Sequence, residues 1–361
     1  MVLKEQNVLF IVRTMGLGGT ENVVLQLCEI LAGRVKKIIV CSSGGVHEKL
    51  LEKMGIKHYH IPDIASKNPI DMVKTCLVIR KIIKKEKITV VHSHHRMAAL
   101  YVELLTNNKI IKIANAHNTF YDKKWLTYYA YHNTKLVAVG NMVKKNLIEY
   151  FGLKESQISV IHNAVKPFNN EVKSIELLTR AHESGKILIG NIGRLSEQKG
   201  MSYFIDAADI VLKKHPEALF FIVGDGELKE DLLQLVRKKE LEKNIIFLGY
   251  RSDIQNVMSQ LDFIVLSSLW EGLPLTPIEA FSVGKTVIGT AVDGTPEIIR
   301  NGIDGCLVEA RNSNQLAEKM CFLLNHSEIR SKMEKQAKER YQKNFSFVKL
   351  TDEYIKFYES L

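Results

Sequence analysis

Short apolar runs alternating with polar helical stretches constrain this chain most, and the alternation occurs twice. In the first half, Asn7 to Val12, Lys37 to Cys41, Val90 to His92, Lys112 to Ala116 and Leu136 to Val139 read as buried parallel strands. In the second half the same reading falls on Ile187 to Ile192, Ala218 to Val223, Asn244 to Leu248, Phe263 to Leu266 and Thr286 to Gly289. The polar stretches between them supply the helices that right-handed β-α-β crossovers require. Each half is therefore predicted to be a doubly wound α/β domain, and 361 residues are enough for two. The expected division is residues 1–168, a weakly patterned linker at 169–185, a second domain at 186–344 and a last helix at 345–361. Beyond Asn312 the chain reads as helix. Two such domains are expected to leave a cleft between them, where small-molecule sites concentrate.

Open α/β sheets bind ligands at the carboxyl ends of their strands, so the residues there carry the functional argument. Ser267-Ser-Leu-Trp-Glu271 leaves an apolar run, and Leu275-Thr276-Pro277-Ile-Glu279 opens a helix. Glu271 is expected in the loop and Glu279 in the first helical turn. The N–H groups of Leu275 and Thr276 would sit at the positive end of the helix dipole. Two carboxylates beside an anion site suit a ligand with hydroxyls at both ends and phosphate between. The alternative for Thr276 to Glu279 is a capping box, with Thr276 as N-cap.

Gly193-Arg194-Leu-Ser-Glu-Gln-Lys199-Gly200 follows another strand and precedes a helix. An Arg fork, a Lys and a helix N-terminus together provide what a diphosphate needs, although a solvated loop would look similar. Gly224-Asp-Gly226 ends the next strand and reads as backbone cleared for close approach of a ligand, or as a simple turn.

In the first half, Met15-Gly16-Leu-Gly18-Gly19-Thr20-Glu21 resembles a dinucleotide fingerprint. Glu21 occupies the third glycine's place, however, and no acidic residue ends the second strand, which excludes an NAD site. A glycine loop admitting a sugar or phosphate remains. His92-Ser-His94-His95 allows a metal site, structural histidines or polar lining of the cleft; no clear carboxylate set accompanies it. His117 follows the fourth strand and should point toward the same cleft.

Net charge is +10. No nucleic-acid module accompanies it, which leaves an anionic membrane surface as the expected partner. Lys74, Arg80, Lys81, Lys84, Lys85 and Lys87 alternate with Ile70, Val73, Leu77, Ile82 and Ile83. Phe120 to Trp125, followed by Tyr128, Tyr129 and Tyr131, interleaves cations with interfacial aromatics. The alternative is an ordinary solvated helix face. No apolar run reaches membrane-spanning length and no signal-peptide pattern opens the chain, so a cytoplasmic, peripheral location is expected. Cys28, Cys41, Cys76, Cys306 and Cys321 read as reduced core thiols.

In their order along the chain, the loop Gly18 to Glu21, His117, His162-Asn-Ala-Val165, Gly193-Arg194…Lys199-Gly200, Gly224-Asp-Gly226 and Glu271…Glu279 resemble retaining glycosyltransferase family 4, of GT-B fold. The resemblance covers essentially the whole chain. It implies that Arg194 and Lys199 hold a donor diphosphate, Glu279 the ribose and Glu271 the sugar hydroxyls, with His117 near the reaction centre. The nucleobase would rest on backbone near Tyr250 and Arg251, and Gly18, Gly19, Gly224 and Gly226 would belong to the donor site. It further implies a UDP-sugar donor, no metal or other cofactor, retention of configuration, and a last helix that crosses back onto the first domain. The basic first half suggests an acceptor glycan on a polyprenyl-diphosphate or lipid A-core carrier, as in O-antigen, capsule or lipopolysaccharide assembly. Two further readings stay open: a sugar-nucleotide epimerase of the same fold, and a non-catalytic nucleotide-sugar-binding partner of a glycan assembly complex.

Overall fold

The computed structural model describes residues 2–106, 109–169 and 171–361. They fall into two compact units, Met1–His162 with Leu350–Leu361, and Asn163–Lys349.

The first unit is built on seven parallel strands: β1 (Asn7–Ile11), β2 (Lys37–Ser42), β3 (Lys57–His60), β4 (Val90–Ser93), β5 (Ile111–Ala116), β6 (Lys135–Ala138) and β7 (Ile158–Val160). Their order is β3-β2-β1-β4-β5-β6-β7, so the direction of progression reverses between β1 and β4. Helices cover both faces, which is why β1 is buried along its whole length and apolar from Val8 to Ile11. Leu9, Ile11, Ile39 and Val91 pack against Ile79, Ile82, Ala98 and Tyr101 of the crossover helices.

The second unit holds β8 (Ile187–Ile192), β9 (Ala218–Val223), β10 (Ile245–Gly249), β11 (Phe263–Leu266), β12 (Val287–Thr290) and β13 (Gly305–Val308), again all parallel. The order β10-β9-β8-β11-β12-β13 puts its reversal between β8 and β11. Phe204, Ile205 and Ala208 of one helix and Leu316 and Met320 of another close the core over Phe220, Phe263 and Val265.

Three strands had no counterpart in the sequence reading, namely β3, β7 and β13, and each lies at a sheet edge. An edge strand needs no continuous apolar run; β3 is Lys-His-Tyr-His and none of its residues is fully buried. Of the expected linker 169–185, residues 171–185 lie in the second unit and contain the helix Glu176–Glu183, which buries Leu178 and Ala181. At the C-terminus, Leu350–Leu361 joins the first unit. Its helix, Phe347–Glu359, is anchored by hydroxyls: Tyr354 accepts from Asn115 Nδ2 at 2.7 Å, and Tyr358 pairs with His92 Nδ1 at 2.7 Å.

The helix Pro69–Lys85 keeps part of its expected face. Ile79 and Ile82 turn into the core, while Ile70, Val73 and Leu77 stand in solvent with Lys74, Lys81, Lys84 and Lys85. The expected grouping of Ile82 with the outward residues is thus corrected. Of the aromatic patch, Trp125 is 83% exposed, with Tyr128 and Tyr129 also outside, but Tyr131 is core. Among the described residues, no helix is long and apolar enough to cross a membrane.

Candidate functional site at the strand reversals

In an open parallel sheet the crevice for a ligand lies where the strand order reverses, outside the carboxyl ends of the two flanking strands. In the second unit those strands are β8 and β11, and the loops leaving them are Gly193 to Gly200 and Ser267 to Pro274. Backbone contacts fix one loop against the other. Leu269 N donates to the Gln198 carbonyl at 2.7 Å, Ser267 Oγ to the Lys199 carbonyl at 2.9 Å, and Gln198 Nε2 to the Trp270 carbonyl at 3.0 Å. Gly200 makes this approach possible: its φ is +56°, and a Cβ there would lie 2.3 Å from the Ser267 carbonyl oxygen.

The same bracing places the charges. Lys199 Nζ sits 2.6 Å from Glu271 Oε1, which also accepts from Ser268 Oγ at 2.6 Å. Glu271 N donates to Asp293 Oδ2 at 2.7 Å, so the loop after β12 holds the glutamate's backbone. Both Glu271 and Ser268 are buried. Arg194, in contrast, is exposed, and among the described residues its guanidinium meets no hydrogen-bond or ion-pair partner. One loop therefore carries a cation free for an anion and another shared with a carboxylate.

Glu279 is not a cap. The helix Leu275–Ser282 starts earlier than expected, with Pro274 at the N-cap and no side-chain cap bond, and Thr276 Oγ1 turns to the Ile192 carbonyl at 3.5 Å. That overturns the capping-box alternative. The N–H groups of Leu275 and Thr276 head the helix and meet no protein acceptor among the described residues. Burial pushes the Glu279 carboxyl up to about 7, with Lys199 drawing it partly back.

Gly224 and Gly226 give room to the neighbouring loop. A Cβ on Gly224 would come within 1.9 Å of the Gly193 carbonyl oxygen, and one on Gly226 within 2.5 Å of that of Leu195. The space beside these glycines is filled by the Arg194 loop, zipped to them by Gly193 N to the Val223 carbonyl and Leu195 N to the Asp225 carbonyl, each 3.0 Å. Gly224 N in turn donates to the Gly249 carbonyl at 2.8 Å, tying in the turn before Tyr250. Tyr250 is exposed; Arg251 is clamped in a two-pronged pair by Asp253, at 2.8 and 2.7 Å, which raises its already high basicity.

In the first unit the flanking strands are β1 and β4. Gly18 caps the helix Gly19–Leu31, and Thr14 Oγ1 reaches Glu21 Oε1 at 2.5 Å, so Glu21 buttresses the glycine loop from inside. The histidines at β4 separate into two roles. His92 is structural, fixed through Nδ1 by Tyr358 and through Nε2 by Asn115 Oδ1 at 2.8 Å. His94 stacks on it and shares a 3.1 Å hydrogen bond between its Nδ1 and His117 Nε2. The remaining His94 nitrogen, Nε2, is buried without a partner among the described residues. Burial pushes His92 down to about 3 and His117 to about 4, so these rings are neutral at pH 7 and act as hydrogen-bonding groups rather than cations.

Sequence reasoning missed Ser268 and Asp293, which hold Glu271 by side chain and backbone. The one sequence signal for Asp293 was the turn pair Asp293-Gly294; a Cβ on Gly294 would meet the Gly272 carbonyl oxygen at 2.1 Å, which brings the two loops together. His117, Gly18 and Gly19 belong to the first unit, and Arg194, Lys199, Gly224, Gly226, Tyr250, Arg251, Glu271, Leu275, Thr276 and Glu279 to the second.

The family model for glycosyl transferases group 1 matches residues 176–340, and that for Glycosyltransferase Family 4 matches residues 17–167. The UDP-Gal:alpha-D-GlcNAc-diphosphoundecaprenol alpha-1,3-galactosyltransferase of Escherichia coli is 26% identical over 358 residues, covering 93% of this chain and 92% of its own. An uncharacterized glycosyltransferase of Methanocaldococcus jannaschii is 30% identical over 295 residues, covering 78% of each chain. In fold, the chain matches the Anabaena protein HepE, solved in complex with UDP-glucose, with a TM-score of 0.85 at 18% identity over 99% of this chain and 100% of that one.

Proposed function

The chain belongs to glycosyltransferase family 4 and has the GT-B fold, and on that premise we propose that it moves a hexose or N-acetylhexosamine from a UDP-sugar to a lipid-linked glycan, with retention of configuration and without a metal. The observation that carries the reading is the Arg194, Lys199, Glu271 grouping at the reversal between β8 and β11. When the glycosidic bond to the diphosphate breaks, negative charge develops on the departing phosphate, and stabilising that charge is the main task. Arg194 offers a planar fork with no competing partner among the described residues, Lys199 a point charge, and the helix Leu275–Ser282 its leading N–H groups. Glu279 accepts from the ribose hydroxyls. Glu271 accepts from the sugar, and because it already shares Lys199, the sugar and phosphate ends of the donor meet at one ion pair. His117, in the first unit, is neutral and offers a hydrogen bond rather than a charge. The departing phosphate oxygen takes the acceptor's proton on the same face from which it leaves, which preserves configuration.

The acceptor assignment draws on the Escherichia coli relative, whose name gives GlcNAc-diphosphoundecaprenol as what it glycosylates. Ile70, Val73 and Leu77, exposed among lysines, fit a cytoplasmic membrane face on which such a carrier is presented, in O-antigen, capsule or lipopolysaccharide assembly.

The test is a panel of UDP-sugars with EDTA present, reading binding and slow donor hydrolysis together. Saturable binding with UDP release is expected, and Arg194→Ala should lower turnover by a factor of about 30 to 1,000, equivalent to roughly 2–4 kcal/mol. Binding of no UDP-sugar, or full activity in Arg194→Ala, would overturn the reading.

A further inference from the structure

Away from the strand reversals, at the β3 edge of the first sheet, two histidines and a glutamate converge. His58 and His60 are two apart on β3 and so project to one face; Lys57 and Tyr59 turn to the other, where both bind Glu86. The helix Glu48–Lys53 brings Glu48 over the histidine face. Glu48 Oε2 lies 3.0 Å from His60 Nε2 and 3.4 Å from His58 Nδ1, and one ligand atom from each of the three residues falls within 4.8 Å of the others. Around a tetrahedral zinc with bonds of about 2.0–2.1 Å, ligand atoms stand about 3.4 Å apart.

We propose that Glu48, His58 and His60 form a binding site for a divalent transition-metal ion of the zinc class. Its three protein ligands leave a fourth position open to solvent on the side of the exposed His60.

The surroundings support this beyond the ligand count. Metal sites orient their ligands through hydrogen bonds on the atoms that face away from the metal. Glu48 Oε1, the oxygen turned from the histidines, accepts from Gly45 N at 2.7 Å. His58 Nε2, the nitrogen turned from Glu48, meets Ser42 Oγ at 2.8 Å, and Ser42 Oγ also accepts from Gly44 N at 3.0 Å. Two of the three ligands are thus held in register by groups that take no part in binding. The rings of His58 and His60 meet edge to face with centroids 4.8 Å apart, which keeps both nitrogens on the glutamate. The groups facing the cluster are Lys49 and Glu52 from the same helix, which line the groove with Gly45, Val46 and Ile56.

The site also bears on the glycine loop. Gly45 N is held by the candidate ligand Glu48, and the Gly44–Gly45 turn lies directly on the loop that opens with Met15: Met15 N donates to the Gly44 carbonyl at 2.8 Å, and His47 N to the Met15 carbonyl at 2.8 Å. A bound ion clamps the turn on which that loop rests.

Tag-free full-length protein, stripped with chelator, is titrated with Co2+ as a spectroscopic probe and then with Zn2+. The expected result is one equivalent of Co2+ with the intense visible bands of a four-coordinate site, displaced by Zn2+, and a rise in Tm. Glu48→Gln, His58→Ala and His60→Ala should each abolish stoichiometric binding. Ser42→Ala keeps all ligands and should weaken it by about 10-fold to 100-fold. His60 is 67% exposed at its side chain, so His60→Ala retains the fold and provides the decisive variant. Affinity should fall on acidification, because protons compete for the same nitrogens. Failure of the parent protein to bind one equivalent, or His60→Ala titrating like the parent, would overturn the site and leave a hydrogen-bonded Glu–His cluster.

Discussion

Glu279 shows how a single side chain is tuned by its place. Its ordinary value is 4.5, and burial raises it to about 7 in the folded protein. The folded state therefore holds a proton that the unfolded chain releases, and stability is lost as pH rises from about 4.5 to about 7. The ceiling on that loss is about 3 kcal/mol. Glu279→Gln should flatten urea-unfolding stability across this window; an unchanged slope would show that Glu279 is not the group responsible. Hydrogen bonds from two ribose hydroxyls favour the charged form. Binding of a nucleoside diphosphate near pH 6.5 should then release protons, seen as a dependence of calorimetric heat on buffer ionisation, and the Gln variant should release fewer. Lys199 and Glu271 make the complementary point. Removing Glu271 strands a half-buried ammonium, so loss of sugar transfer in Glu271→Ala would be accompanied by a change at the phosphate end.

At the scale of elements, the central strands were legible because burial on both faces requires continuous apolar runs, and β8, β9 and β11 fall on the residues expected from sequence. The edge strands were not, because an edge strand needs no continuous apolar run: of β3 only Tyr59 packs against the core, and its hydroxyl joins Lys37 and Lys57 in holding Glu86 down to about 2. Helix amphipathicity was legible only in outline. In Pro69–Lys85 the sequence offers two apolar stripes, and packing decided that Ile79 and Ile82 are core and Ile70, Val73 and Leu77 are not. That outward stripe with its lysines should bind anionic vesicles. Changing Lys81, Lys84 and Lys85 together to Gln should weaken binding by about 3 kcal/mol at low salt, roughly 100-fold, and less as salt rises. Vesicle binding that is unchanged and salt-independent would make the helix an ordinary solvated face.

At the scale of the molecule, the first unit is completed by the chain's own end. Leu350, Tyr354, Phe357 and Tyr358 are buried, and two of their hydroxyls satisfy His92 and Asn115. Truncation after Lys349 removes apolar burial of about 1.5–3 kcal/mol for each large side chain and leaves two buried polar groups at about 1–3 kcal/mol each. Against a domain stability of 5–15 kcal/mol, that should abolish or strongly lower the first unit's calorimetric transition while the second unit's persists. A first transition unaffected by truncation would show the helix to be dispensable.

The sequence by itself determined the two doubly wound sheets and which charged residues stand at the carboxyl ends of their strands. Both follow from local periodicity and from the rule that ligands meet open sheets at their carboxyl edges. Tertiary structure alone decided which residues support them. Ser268 and Asp293 hold Glu271, and Tyr358 fixes His92 across 266 positions of sequence. Glu48, His58 and His60 converge because a helix crosses an edge strand. Such pairings depend on how separate elements pack, and packing leaves no periodicity in the chain.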